Sequence, residues 1–500
     1  MCALDQGKSE NQPQAAVDLA PLHLVAAVGF SCLIGWELTA VFAPSVPLLS
    51  WCSIEEGIKL RIASVLALVV TYVAFGLKAD WVYEHRDRLL PLSSLLALVA
   101  VAESFASTYV AALPFAVSAA VWVLFGFAQA SAMSCWCVFF SIVPTKRTAH
   151  VIACGAALGT LLFVLVNATS LVWASLLQTA LLIGGSMGAV AFLSRRIPRE
   201  TVPRVDELRA APALSATAAV SVACHGAVYG FMTVELCSMG YEAALVGGAS
   251  GIGGILLVFV WNHLGARVNV DVGVVQRITL PFLVASVLLL PFCDGAARVA
   301  CGCVANMALA HTSVFAWYST SIDNYEFRLH PVRRYAMRQA PSWLGFFLGS
   351  VFAFVLVFAL ELEGMALCLA MALFSVVVVV SFSVYGGDES EMRARLDDLL
   401  DVAGKGVVEA VAQEEGEEGE DPAPQALTLE RRCAHVAERY ALTPREGEVL
   451  ILLARGRNAE YIAGALTVSP ATVKSHIYHI YRKLGINSQQ RLMDIVDEWG

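Results

Sequence analysis

Six polar residues sit inside long apolar runs, and each could hold a ligand. Glu37 follows Trp36, while Glu103, Gln129, His225, Asn306 and His311 lie further along similar runs. An ionisable or amide group in hydrocarbon is costly, so such groups serve either binding or hydrogen bonding between helices. A carboxylate, a histidine and amides around one cavity would suit a small polar or aromatic molecule. The alternative, that they only tie helices together, stays open because the sequence does not show which of them face one another. A second set lies near the C-terminus. Val473, Ile477, Ile480 and Leu484 recur at spacings of four, three and four, which predicts one buried helical stripe. Ala471, Lys474, Ser475, Tyr478 and Arg482 fall on the opposite face, small at its start and basic or polar along its length. Such a face fits the major groove of DNA.

Other chemistries find no support. There is no nucleophile–base constellation, metal-ligand spacing or phosphate-cradling loop, so neither an enzyme nor a cofactor is expected. Gly247, Gly248, Gly251, Gly253 and Gly254 lack a strand–loop–helix setting and read as points of close helix approach. The thirteen cysteines lie mostly in apolar runs, and Cys135/Cys137 and Cys301/Cys303 point to different helix sides. They read as small hydrophobes in a reducing cell.

The elements that must position these groups follow from hydropathy. The chain has 500 residues, 58% of them hydrophobic and 15% charged, with mean hydropathy +0.67. A soluble chain carries about 25% charged residues. Residues 1–18 are polar and carry Lys8, Glu10 and Asp18, unlike a secretory signal. Twelve apolar spans are expected near 19–42, 60–78, 89–110, 115–143, 149–168, 171–193, 213–236, 243–264, 275–292, 298–321, 339–360 and 364–385. Charge tests that count. With the N-terminus inside, the even-numbered loops hold the basic clusters around Arg86, Lys146, Arg195, Arg267 and Arg333. The outer loops and their edges hold only Lys59, Arg61 and Arg298, so both termini are expected in the cytoplasm.

The basic loop 194–212 divides the spans six and six. This layout resembles the major facilitator superfamily, whose loop between the second and third helices carries Gly-x-x-x-Asp followed by basic residues. Gly76, Asp80, Arg86 and Arg88 match it, with Trp81-Val82-Tyr83-Glu84 interrupting the spacing. The resemblance implies two pseudo-symmetric bundles around a central cavity, without implying transport.

Residues 386–426 carry thirteen acids against three bases and read as a solvated tether. Beyond it, Thr443, Pro444 and Glu446 form a capping box that opens a helix, and Gly456 ends it. A short helix covers 459–466, Thr467-Val468 make the turn, Ser469-Pro470 start the third helix, and Ser488 can cap a fourth ending near Trp499. Leu442-Thr443-Pro444-Arg445-Glu446, Tyr461-Ile462-Ala463, Thr472-Val473-Lys474-x-His476 and Lys483-Leu484-Gly485 resemble the LuxR/NarL helix-turn-helix family over roughly 438–498. By position, that resemblance implies that Lys474, Ser475 and Tyr478 meet base edges. Thr472, Asn458, His476 and Lys483 would meet phosphate or fix the helix entry, and the last helix would form dimers. Tyr478 stands where the family commonly has a small or basic residue.

The chain is therefore expected to be all-α. It would comprise a cytoplasmic tail (1–18), a polytopic twelve-helix membrane bundle (19–385), an acidic linker (386–426) and a four-helix helix-turn-helix domain (427–500). The expected activity is a one-component transcriptional regulator in a bacterial cytoplasmic membrane. A small molecule would act on the membrane domain to control promoter DNA binding by a homodimer. The rival expectation is a transporter with a regulatory tail.

Overall fold

The computed structural model describes residues 22–142, 148–197, 202–210, 214–264, 272–326, 328–362, 364–385, 429–440, 442–455, 457, 461–463, 466, 470–484, 486 and 489–497. The tail 1–18, the linker 386–426, Gly456, Asn458, the turn Thr467-Val468, Ser469, Gly485, Ser488 and Trp499 lie outside the described residues.

Backbone groups in a bilayer must bond within their own segment, so apolar runs of this length form helices. They are α1 (Leu22–Val41), α2 (Ile54–Leu77), the short α3 (Ala79–Glu84), α4 (Arg86–Tyr109), α5 (Phe115–Ile142), α6 (Thr148–Asn167) and α7 (Val172–Arg196). The second half holds α8 (Ala216–Ser238), α9 (Tyr241–Leu264), α10 (Val272–Leu289), α11 (Gly295–Glu326), α12 (Pro331–Phe354) and α13 (Gly364–Tyr385). Among the described residues, nine helices are long and apolar enough to cross a membrane, and Tyr241–Leu257, Ile278–Phe292 and Met365–Val380 are shorter apolar helices. Leu66, Val70, Leu161, Leu181 and Leu369 stand exposed on the outer faces, as lipid contact requires.

Two starts differ from the sequence expectation, and capping explains both. Ser53 and Glu56 close a capping box that begins α2 at Ile54. Arg61 therefore lies two turns inside the helix rather than at its edge. His330 caps α12, its ring nitrogen accepting from the Arg333 amide at 3.3 Å, with Pro331 at the first position.

The pairing of helices repeats between halves. α1 packs on α6 and α7 as α8 packs on α12 and α13. α5 packs on α2 and α4 as α11 packs on α9 and α10. The halves meet where α2 lies along α12 and α6 along α9. Glycine sets the closest approach. A methyl on Gly226 or Gly230 would fall 2.0 Å from the carbonyl oxygens of Ser342 and Phe346. A methyl on Gly345 or Gly349 would fall 1.9 Å from those of Ala223 and Ala227. The backbones of α8 and α12 therefore touch over two turns, as small residues permit. At the end carrying the basic loops, polar contacts tie the halves together. Arg333 donates to Asp80 at 3.4 Å, and Asn324 donates to Ser141 at 3.1 Å.

The C-terminal module folds around its own core. It comprises α14 (Leu429–Arg439), α15 (Pro444–Ala454), helical residues 461–463, α16 (Pro470–Leu484) and α17 (Gln489–Asp497). Val449, Leu450, Ile462, Val473, Ile480, Leu492 and Val496 are buried together. α14 precedes the first helix of the expected four and adds Cys433 and Val436 to that core.

Candidate ligand cavity and nucleic-acid interface

Glu37 on α1 is 4% exposed. Its Oε2 accepts from Gln129 Nε2 at 2.8 Å, and Gln129 Oε1 accepts from Arg61 Nη1 at 2.8 Å. One amide thus donates to the carboxylate and accepts from the guanidinium, which fixes its orientation. Arg61 also reaches Ser64 at 3.4 Å and lies 5.9 Å from the ring of Trp343. Such a buried carboxylate and guanidinium hold only because each has hydrogen-bonded company. Glu37 Oε1 has no hydrogen-bond partner among the described residues.

Glu37 lines a cavity of about 220 Å³ between the halves. Its walls come from α1, α5, α6, α8, α9, α11 and α12, with Phe30, Tyr229, Trp317, Tyr335, Trp343 and Phe346 as aromatic faces. The rings interlock: Phe30 and Trp317 lie 5.3 Å apart, and Trp317 and Tyr335 5.1 Å apart. The first pair is edge-to-face and the second tilted, and such ring contacts hold the wall rigid. Arg338 and Gln339 also line the cavity.

The six polar residues singled out from sequence separate into two groups. Glu37, His225 and Asn306 line the cavity. Asn306 Nδ2 donates to Gly247 O at 2.7 Å, and His225 Nδ1 lies 2.9 Å from Ser221 O. Gln129, Glu103 and His311 are not part of the lining. Gln129 is the bridge behind Glu37. Glu103 accepts from Ser118 at 2.7 Å and Ser107 at 3.2 Å, because α4 packs against α5 and α7 at the periphery. His311 turns Nδ1 to Gly254 O at 3.0 Å, where the missing side chain lets α9 and α11 close. Sequence reasoning missed Arg61, which was counted with the outer loops, and Arg338, counted with the inner ones. The Ser53-x-x-Glu56 box was the available signal for Arg61.

In the module, Thr443 accepts from the Glu446 amide at 3.2 Å and Glu446 returns a bond to the Thr443 amide at 2.7 Å. Lys483 donates to the same Glu446 at 2.7 Å, so the end of α16 is clasped to the start of α15. On α16, Val473 and Ile480 are buried, Thr472, Ser475 and His476 are half-buried, and Tyr478 is 62% exposed. Lys474 lies on the described backbone of α16, but its side chain is outside the described residues. Arg482 is exposed beside Lys483.

Two titrating groups report on this clasp. Burial alone would raise the Glu446 carboxyl, but bonds from Lys483 and Thr443 hold it below the usual range. Burial holds the His476 imidazole below its usual range, with Glu446 opposing. Both groups bind more protons unfolded than folded, so their stabilisation is complete above the unfolded values and is lost on acidification. Protection factors against hydrogen exchange across α15 and α16 in the full chain, taken relative to the intrinsic rate at each pH, should fall first below about pH 6.5 and further below about 4.5. Lys483→Met should weaken the lower step. Protection that did not change with pH would contradict both assignments.

The chain is thus a polytopic membrane protein with a DNA-binding module. Residues 440–496 match the family model of bacterial regulatory proteins, luxR family. An HTH-type transcriptional regulator of Mycobacterium tuberculosis (strain ATCC 25618 / H37Rv) is 44% identical over 54 residues, 11% of this chain and 6% of that protein. The transcriptional regulatory protein NarL of the same strain is 39% identical over 75 residues, 13% of this chain and 34% of that one. The chain thus spans about a third or less of these curated relatives. The helical bundle is similar in fold to the human organic anion transporter MFSD10 (TETRAN), with TM-score 0.52 and 12% identity over 75% of this chain and 100% of that one. A bacterial homologue of the iron transporter ferroportin in its outward-facing state gives TM-score 0.52 and 11% identity over 74% and 98%. The module is a LuxR-type helix-turn-helix domain, and the bundle shares the fold of these two transporters.

Proposed function

We propose that the chain is a one-component, membrane-bound transcriptional regulator. A small molecule entering the cavity between the halves changes their packing, and the change alters DNA binding by the LuxR-type module. The carrying observation is the cavity itself, aromatic-walled and lined by a buried carboxylate with an unfilled oxygen, on the same chain as the module. On this reading both termini are cytoplasmic, the bundle crosses twelve times, and residues 386–426 tether the module. Lys474, Ser475 and Tyr478 read base edges, while Thr472, Asn458, His476 and Lys483 engage phosphate or fix the helix entry. Residues 427–500 carry ten Lys/Arg against eight Asp/Glu, so one copy binds weakly and a homodimer on a symmetric promoter site is required.

The test is a promoter reporter comparing the full chain with residues 427–500 alone. Only the full chain should respond to inducer. Equal responses would end the proposal. The likeness to transporters favours one second reading, a working transporter with a regulatory tail. Accumulation of the inducer against a gradient in vesicles would support it.

A further inference from the structure

We propose that the ligand presents an uncharged hydroxyl donor on an aromatic ring to Glu37, a phenol in the simplest case. This rests on the cavity being the regulator's ligand site. The 4% exposed Glu37 keeps Oε1 without a partner while its Oε2 is held by Gln129. An ionised carboxylate oxygen only accepts, so the group that completes it must donate. A buried acceptor left unfilled is costly, and the ligand's donor removes that cost.

Charge then selects among donors. Arg61 stands behind Glu37, one amide away, and its positive charge already balances the carboxylate through Gln129. Arg338 is a second guanidinium lining the cavity. A ligand ammonium at Glu37 would add a cation beside a carboxylate that Arg61 already balances, in a cavity that Arg338 also lines. A ligand carboxylate at the same place would bring a second acceptor against Oε1. A hydroxyl satisfies Oε1 and leaves the balance unchanged.

Shape selects the ring. The cavity is about 220 Å³, below the usual range for drug-sized ligands, so it suits one ring with a short substituent. Trp317, Tyr335, Trp343 and Phe346 offer faces and edges to such a ring.

The test is calorimetric titration of the full chain in lipid nanodiscs with three matched probes: 4-ethylphenol, 4-ethylanisole and phenethylammonium. The phenol should bind at least about ten-fold tighter than either of the others, since a hydrogen bond to a charged group is at stake. Glu37→Gln should reduce the phenol-to-anisole ratio several-fold. Should that variant not fold, the ratio in the unaltered chain decides. Equal binding of the anisole overturns the proposal, and so does tighter binding of the ammonium, although the ligand-site reading survives both. Binding by none of the three overturns the proposal and removes support from the cavity as well.

Discussion

Arg61→Met is expected to destabilise the membrane domain by about 3 kcal/mol, because it strands a buried carboxylate. The guanidinium has no water to replace it: Arg61 is 4% exposed and Glu37 likewise 4%. Gln129 would lose the donor that fixes its amide, and the Glu37 charge would lose its counterpart. The measurement is thermal unfolding of the full chain in detergent. The double variant Arg61→Met, Glu37→Leu should recover part of the loss, since it removes both charges from a low-dielectric site. An Arg61→Met chain that melts like the unaltered one would show that the relay carries no stability.

Ser475→Asp is the second large expectation, with a loss of about 100-fold or more in affinity for DNA. Ser475 sits on the face of α16 opposite Val473 and Ile480, and Tyr478 projects from the same face. With α16 in the major groove as proposed, a carboxylate there would meet the phosphate backbone and the acceptor-rich groove edge of DNA. The fold should survive, because the capping box and the Lys483–Glu446 clasp lie elsewhere. Fluorescence anisotropy of the full chain on a duplex selected from a random library measures the loss. Arg482→Ala should act differently, weakening all sequences alike and lowering the salt slope by about 0.9 for one lost phosphate contact. Unchanged affinity in Ser475→Asp would move the DNA-reading surface off this face.

The helices were legible because membrane segments announce themselves over some twenty residues, and the DNA module because its caps are local. Thr443, Pro444 and Glu446 are near neighbours, and their bonds appear as read. What failed was long-range. Glu37 and Gln129 are 92 positions apart and Gln129 and Arg61 are 68 apart. Nothing in the apolar runs said that they meet. Glu103 looked equivalent to Glu37 by hydropathy, yet it lies away from the cavity, where two serines donate to its Oε1. Lys483 bonds to a carboxylate 37 residues earlier, a contact that its own neighbours in the chain do not announce.

The glycine contact between α8 and α12 has a mechanical consequence. Two backbones in touch at four positions cannot slide or separate without losing contact along their length, so the pair bends and tilts as a single beam. Tyr229 belongs to one member of the beam, Tyr335 and Trp343 to the other, and all three face the cavity. Pressure from a ligand on any of these side chains therefore moves both helices together. One end of that beam carries the Asp80–Arg333 contact, two residues from the cavity-lining Tyr335, so a shift of that wall is felt directly at this tie between the halves.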